Sequence, residues 1–190
     1  MTPRNDHNCL MHPRFTRRDT AFTLIELLIV VAVIAALAAI SFPIGRKLIG
    51  QAHASACTSN LRELGAAVNL YLIDNNNRFP NLVSLKADIN DPEPSIDTVL
   101  LEYTGGSTEV FRCPADDANL YPTSGTSYLW NSTLNGQHSA KLNFLGVTDQ
   151  NIGIPVIADK ENFHRRRGDE VNILYADGHV DKEVKFLVGP

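Results

Sequence analysis

Residues 17–44 read RRDTAFTLIELLIVVAVIAALAAISFPI, and this stretch decides the architecture of the 190-residue chain. From Ala21 to Ile44 only one charge, Glu26, interrupts the apolar run. At a rise of ~1.5 Å per residue, about 20 such residues cross a hydrocarbon layer of about 30 Å. The run is long enough to span a membrane as a helix, the form in which a chain in lipid closes its own backbone hydrogen bonds. Overall hydrophobic content is an ordinary 44%, which excludes a protein built from many spans.

On the amino-terminal side, residues 1–20 are polar and carry Arg4, Arg14, Arg17 and Arg18 against Asp6 and Asp19. A basic flank beside the first apolar segment holds that end in the cytoplasm. Arg46 and Lys47, beyond the run, weaken this bias without reversing it. The amino terminus is thus expected inside and the bulk of the chain outside. An ordinary secretory signal cut near the alanines of residues 35–39 is the competing reading. Two features oppose it: the run continues to Ile44, and it contains an acid. A carboxylate at the bilayer centre costs on the order of 2.5–3.5 kcal/mol on insertion scales, so Glu26 calls for a partner.

Arg17-Arg18-Asp19-Thr20-Ala21-Phe22-Thr23-Leu24-Ile25-Glu26-Leu27 resembles the signal of type IV pilins and type II secretion pseudopilins. The resemblance implies that a prepilin peptidase cuts the Ala21–Phe22 bond on the cytoplasmic side and methylates the new amine of Phe22. It also implies that Glu26 neutralises the amino-terminal ammonium of a neighbouring subunit in an assembled filament. Such pairing removes most of the cost of a lone charge in low dielectric. Pro43 stands where pilins commonly carry a helix-kinking proline, the alternative being a plain helix stop at the membrane exit. The family most often has Gly before the Phe, where this chain has Ala21, also a small residue.

Past Pro43 the apolar residues Leu48, Ala52, Ala56, Leu61, Leu64, Val68, Tyr71 and Leu72 recur at helical spacing. The helix is expected to reach about Asp74 and to end at Asn75-Asn76-Asn77. Residues 80–125 are rich in Pro and Gly, and Thr98–Tyr103 and Val110–Cys113 read equally as helical turns or strands. Further on, Ile154–Ala158 is a short apolar run. Val171–Ala176 and His179–Phe186 flank Asp177-Gly178, a hairpin signal that usually denotes a type I′ turn. The fold class expected is α+β, pilin-like: a long amino-terminal helix packed on a small carboxy-terminal antiparallel sheet. Its parts are a leader (1–21), a transmembrane half-helix (22–44), an amphipathic half-helix (45–76) and an extracytoplasmic head (77–190).

The tail carries a weaker resemblance. Asn172-Ile173-Leu174-Tyr175-Ala176-Asp177-Gly178-His179-Val180 is similar to the end of the prepilin-type processing-associated domain defined by a His, nine residues and Asp-Gly. Cys57–Gly65 and Phe111–Asp116 resemble other segments of such proteins. Arg167 occupies the position of the defining His, and the nearest upstream His is His164.

Of three cysteines, Cys9 precedes the expected cut. Cys57 and Cys113 remain, either as a disulfide formed outside the cytoplasm or as two half-buried thiols. Asp116, Asp117, Asp159, Asp177 and Asp181 lie in or beside turns, and some major pseudopilins hold Ca²⁺ in the head. Asp159 and Asp177 are therefore the candidate metal ligands, although no EF-hand spacing occurs and turn geometry alone explains Asp177-Gly178. The expectation is no cofactor, with calcium at those two residues as the alternative. His164, Asp177 and His179 match no catalytic signature, so no enzyme is expected. The run His164-Arg165-Arg166-Arg167 is flanked by Asp169 and Glu170, and the chain without residues 1–21 carries net charge −6. Nucleic acid is accordingly not an expected partner.

These readings point to a structural subunit of a secretion pseudopilus or pilus-like filament, anchored in the inner membrane with its head outside. Its expected partners are the prepilin peptidase, other pilin or pseudopilin subunits and an inner-membrane assembly platform. The competing class is a membrane-anchored extracytoplasmic module that binds a glycan or peptide and uses the signal for targeting only.

Overall fold

In the computed structural model the described residues are 22–148, 153–161, 163–164 and 171–182. One helix, α1 (Leu24–Asp74), takes up 51 residues and continues through Pro43. The chain divides into two units at that point, Met1–Pro43 and Ile44–Pro190. A proline removes one backbone hydrogen bond, and here the helix does not stop for it.

In the first unit the apolar side chains are exposed around the whole circumference of the helix, from Phe22 and Leu24 to Ile40 and Phe42. An 18-residue window of α1 reaches a mean hydropathy of 2.9 with none of it buried. A helix apolar on all sides has no polar face to turn to water.

The second unit treats its part of α1 differently. Ala54, Cys57, Leu61, Leu64, Ala67, Val68 and Leu72 are buried, a one-sided stripe at spacings of three and four. Its phase differs from the expectation at the near end, since Leu48 and Ala52 are exposed and Ala56 is only half-buried. The covered face begins at Ala54 and runs through Cys57, so the apolar residues before it lie outside the core. Gly65 lets the sheet come close: a Cβ there would sit 3.0 Å from Leu174 Cδ1. The helix ends as its sequence demands. Asn76 and Asn77 adopt positive φ (54° and 56°), and the Asn77 N–H caps the Leu72 carbonyl at 2.8 Å.

The sheet against α1 has the order β1-β4-β5-β6 and is antiparallel throughout, formed by β1 (Tyr128–Trp130), β4 (Pro155–Asp159), β5 (Ile173–Tyr175) and β6 (Val180–Asp181). Leu129 pairs with Ala158, Ala158 with Ile173 and Leu174 with Val180. All three β5 residues are buried, because this inner strand is covered on both faces and cannot alternate. A two-stranded ribbon, β2 (Asn143–Phe144) with β3 (Val147–Thr148), stands apart from it.

The β5–β6 connection is a hairpin, though not of the expected type. Gly178 N–H donates to the Tyr175 carbonyl at 2.9 Å, and Tyr175 N–H donates to the His179 carbonyl at 2.9 Å. Gly178 has φ +89° while Asp177 is not in the left-handed region. Type I′ needs both central residues there, so this is the three-residue connection with a left-handed glycine. The outer part of the expected second strand, 183–186, lies outside the described residues.

Residues 80–125 resolve into helical turns rather than strands: α2 (Ile96–Val99), 3-10 turns Glu102–Thr104 and Glu109–Phe111, and α3 (Leu120–Ser124). The core between these turns, α1 and the sheet holds Trp130, Tyr128, Tyr175, Phe111, Leu61 and Leu64, all buried. Trp130 hides its ring and still satisfies its indole N–H, which donates to Asn135 Oδ1 at 2.8 Å.

Candidate functional site

The amino-terminal unit carries the first candidate constellation. Thr23 stands before the first turn of α1 and Glu26 in it. The Glu26 N–H donates to Thr23 Oγ1 at 3.3 Å, while Glu26 Oε2 accepts from the Thr23 N–H at 2.9 Å and from Thr23 Oγ1 at 2.7 Å. This is a reciprocal capping box, and it satisfies two donors that a helix start otherwise leaves open. The Glu26 carboxylate is thereby folded back toward Phe22. Its negative charge also lies at the positive end of the helix dipole. The Thr-x-x-Glu spacing was available as a capping signal, yet the reading of Glu26 as an intermolecular partner alone passed over it. Ala21 and the scissile bond lie outside the described residues; Phe22, on the other side, is exposed. Pro43 lies within α1 at the boundary of the two units.

Cys57 and Cys113 are brought together in the head. Their Cα atoms are 5.0 Å apart and they form a disulfide across 56 residues, joining α1 to the segment after the 3-10 turn Glu109–Phe111. Closing a loop of that length is worth about 4 kcal/mol on the chain-entropy model. Both cysteines are fully buried.

Around the disulfide lie groups that no local spacing could have assembled. His164 Nε2 is 3.8 Å from Cys113 Sγ and 3.5 Å from Asp159 Oδ2. Asp159 Oδ2 also accepts from the Asn172 N–H at 2.9 Å and from Asn172 Nδ2 at 2.8 Å. Asp159 Oδ1 is buried with no hydrogen-bond partner among the described residues. Burial pushes the Asp159 carboxyl up to about 6, against the opposing pull of the two Asn172 hydrogen bonds. Burial likewise raises the phenol of the neighbouring core residue Tyr128.

The two residues expected to share a metal are not brought together. Asp159 follows the Ala158–Ile173 pair at one end of the β4–β5 ladder, whereas Asp177 follows the Pro155–Tyr175 pair at the other. Four residues of strand separate the two ends, or about 13 Å. Asp177 serves its turn instead: Oδ1 accepts the His179 N–H at 3.1 Å and contacts His179 Nδ1, and the His179 ring stacks on Tyr175 with centroids 4.5 Å apart. Asp116 is likewise a loop staple, accepting from the Leu120 and Tyr121 N–H groups and from the Ser127 hydroxyl. Of the basic run, His164 is buried, and Arg165, Arg166 and Arg167 lie outside the described residues.

Among known proteins, residues 16–42 match the family model described as the prokaryotic N-terminal methylation motif. No curated protein and no solved structure matches the chain. The motif ends before the head, so it does not reach the tail that resembles the processing-associated domain. It covers Ala21, Phe22, Glu26 and most of the exposed apolar half of α1. That motif heads a long apolar helix followed by a small antiparallel sheet, an arrangement that supports a type IV pilin- or pseudopilin-like protein.

Proposed function

We propose that this chain is a structural subunit of a pilus-like or secretion-pseudopilus filament, processed by a prepilin peptidase and assembled through the apolar half of α1. The observation that carries the reading is the methylation motif at residues 16–42 on a helix whose apolar side chains are exposed all round. Such a surface requires lipid before assembly and the same helices of neighbouring copies after it, because water wets neither.

Three steps follow. The chain inserts through residues 22–44 with its amino terminus in the cytoplasm and its head in the periplasm. The peptidase hydrolyses the Ala21–Phe22 bond and methylates the new amine. The assembly platform then withdraws the subunit from the inner membrane into a helical bundle. The new ammonium on Phe22 appears one residue from the Thr23–Glu26 box, and a carboxylate already aimed at the helix start is well placed to meet such a charge. Within one chain Glu26 is held by Thr23; in a filament it exchanges that neutral partner for an ammonium on the next copy.

The test is filament yield after shearing from cells that also express a peptidase and an assembly platform. Wild-type chain should enter the sheared fraction, and Glu26→Ala should insert normally but fail to enter it. Equal entry of both would remove Glu26 from assembly. A wild-type chain that stays in the membrane fraction while its released head binds a glycan or peptide would favour an anchored binding module.

A further inference from the structure

We infer that the tip of the β2–β3 ribbon is a contact between copies of this chain: Leu145 of one head seats in an apolar groove on the head of a second. β2 and β3 pair Phe144 with Val147, so Leu145 and Gly146 form a two-residue connection. Their φ values are 50° and 87°, both positive as a type I′ turn requires. Asn, Asp or Gly normally fills the first of these positions, because the left-handed conformation brings Cβ too close to the following carbonyl oxygen. The other described non-glycine residues with positive φ are Asn76, Asn77 and Asn119. Among the described residues, this is the one place where the chain puts a leucine in that conformation.

The side chain brings no compensation within its own head. Leu145 is 79% exposed, more than any other large apolar residue described in the second unit. One residue therefore carries two costs, a disfavoured backbone and wetted apolar surface. Strain of this kind gathers at positions that serve function.

The receiving surface adjoins the tip. Leu129, Phe144, Pro155, Ile157, Ala158 and Ile173 line an open, mostly apolar groove of about 560 Å³. That is the size of cavities that take small ligands, so a leucine on a turn has room there. Polar side chains in the wall are already engaged with their neighbours. Ser84 Oγ donates to Ser132 Oγ at 2.8 Å, Thr133 Oγ1 to Asn131 Oδ1 at 2.6 Å, and Asn131 Nδ2 to the Pro155 carbonyl at 2.7 Å. What the wall offers is apolar contact, which suits a leucine better than a polar ligand.

Phe144 belongs to both parts, since it lines the groove and directly precedes the tip. Leu145, being exposed, does not fill the groove of its own chain. A patch that carries knob and groove side by side is self-complementary, and the occupant that brings a matching pair is a second copy. The two heads exchange tips reciprocally. This pairing does not depend on filament assembly, because two chains in one membrane form it before any filament exists. A contact of this size is weak and transient, so a covalent trap is the appropriate readout.

The test uses the full chain carrying Leu145→p-benzoylphenylalanine, with unlabelled and nitrogen-15-labelled copies mixed in phosphatidylcholine vesicles and irradiated. Mixed-isotope peptides that join position 145 to residues 129–133 or 155–158 are expected. Linkage within one chain only, to lipid only, or to residues outside the groove overturns the proposal, as does the absence of any linked product. Thr133→p-benzoylphenylalanine reads the same contact from the groove wall. Adding Leu145→Asn should cut its yield of mixed-isotope product roughly tenfold, the loss expected for removing a buried leucine. By itself Leu145→Asn should raise the melting temperature of the head, since asparagine tolerates the left-handed backbone. An undiminished yield would overturn the contact, and a lowered melting temperature would make Leu145 a support of its own head and overturn it as well.

Discussion

The two halves of α1 share one backbone and differ in what their side chains meet. From Phe22 to Phe42 the apolar residues are exposed on every side, and the polar contacts of that half include the Thr23–Glu26 box at its start. From Ala54 to Leu72 one stripe is buried while Arg62, Glu63 and Asn69 face outward. The first half is thus specified by its surroundings and the second by its own head. Changes in the second should register in the stability of the head; changes in the first should leave head stability unchanged and register in insertion, in assembly and, at the capped start, in local helix stability.

The sharpest break in that comparison is the disulfide. A Cys57→Ser, Cys113→Ser chain should lose about 4 kcal/mol of head stability in chemical denaturation. A midpoint unchanged from the oxidised wild type would show that the bridge does not hold α1 to the head. Next come paired truncations along the helix. Leu64→Ala, in the fully buried stripe, should cost about 2–5 kcal/mol. Leu28→Ala, on the exposed half, should leave head unfolding within about 0.5 kcal/mol of wild type. Similar losses at both positions would erase the distinction between the two halves.

A smaller effect sharpens the account of the buried cluster. In the oxidised protein Asp159 holds its proton up to about 6, against an ordinary 3.8. Between those values the folded carboxyl is protonated while the unfolded one is ionised, so stability falls as pH rises through this window and stays lower above it. The total is on the order of 3 kcal/mol. Melting temperatures of Asp159→Asn from about pH 4 to pH 7 should lack this decline; an identical decline would assign it elsewhere. The smallest effect is at the helix start. Thr23→Ala removes the cap and should cost about 1 kcal/mol of local helix stability, visible as faster amide exchange over the first turn of α1. Unchanged exchange would mean that the box contributes nothing there.

Much of the fold could be read from the chain because its largest features are local. The apolar run, the Asn75-Asn76-Asn77 stop and the Asp177-Gly178 hairpin are each declared by neighbouring residues. The phase of the buried stripe was harder: Leu48 and Ala52 continue the pattern, and only the head determines that coverage starts at Ala54. Strand β1 has three residues and β2 and β3 two each, too short for an alternating pattern to form. The turn type at Gly178 depended on where Tyr175 and His179 pair, which the Asp-Gly dipeptide does not determine. The candidate sites divide in the same way. The amino-terminal motif is contiguous and legible, whereas Cys57, Cys113, Asp159 and His164 meet only through the tertiary fold. Asp159 and Asp177, which composition grouped together, are separated by the strand register.

The central claim is tested most directly by mass spectrometry of the amino terminus of membrane-extracted protein, with and without a co-expressed prepilin peptidase. The account expects a peptide that begins at N-methylated Phe22 and appears only with the peptidase. An amino terminus beyond Ala38 in both samples would contradict it and make the apolar run an ordinary secretory signal, and an intact Met1 in both would make it a permanent anchor.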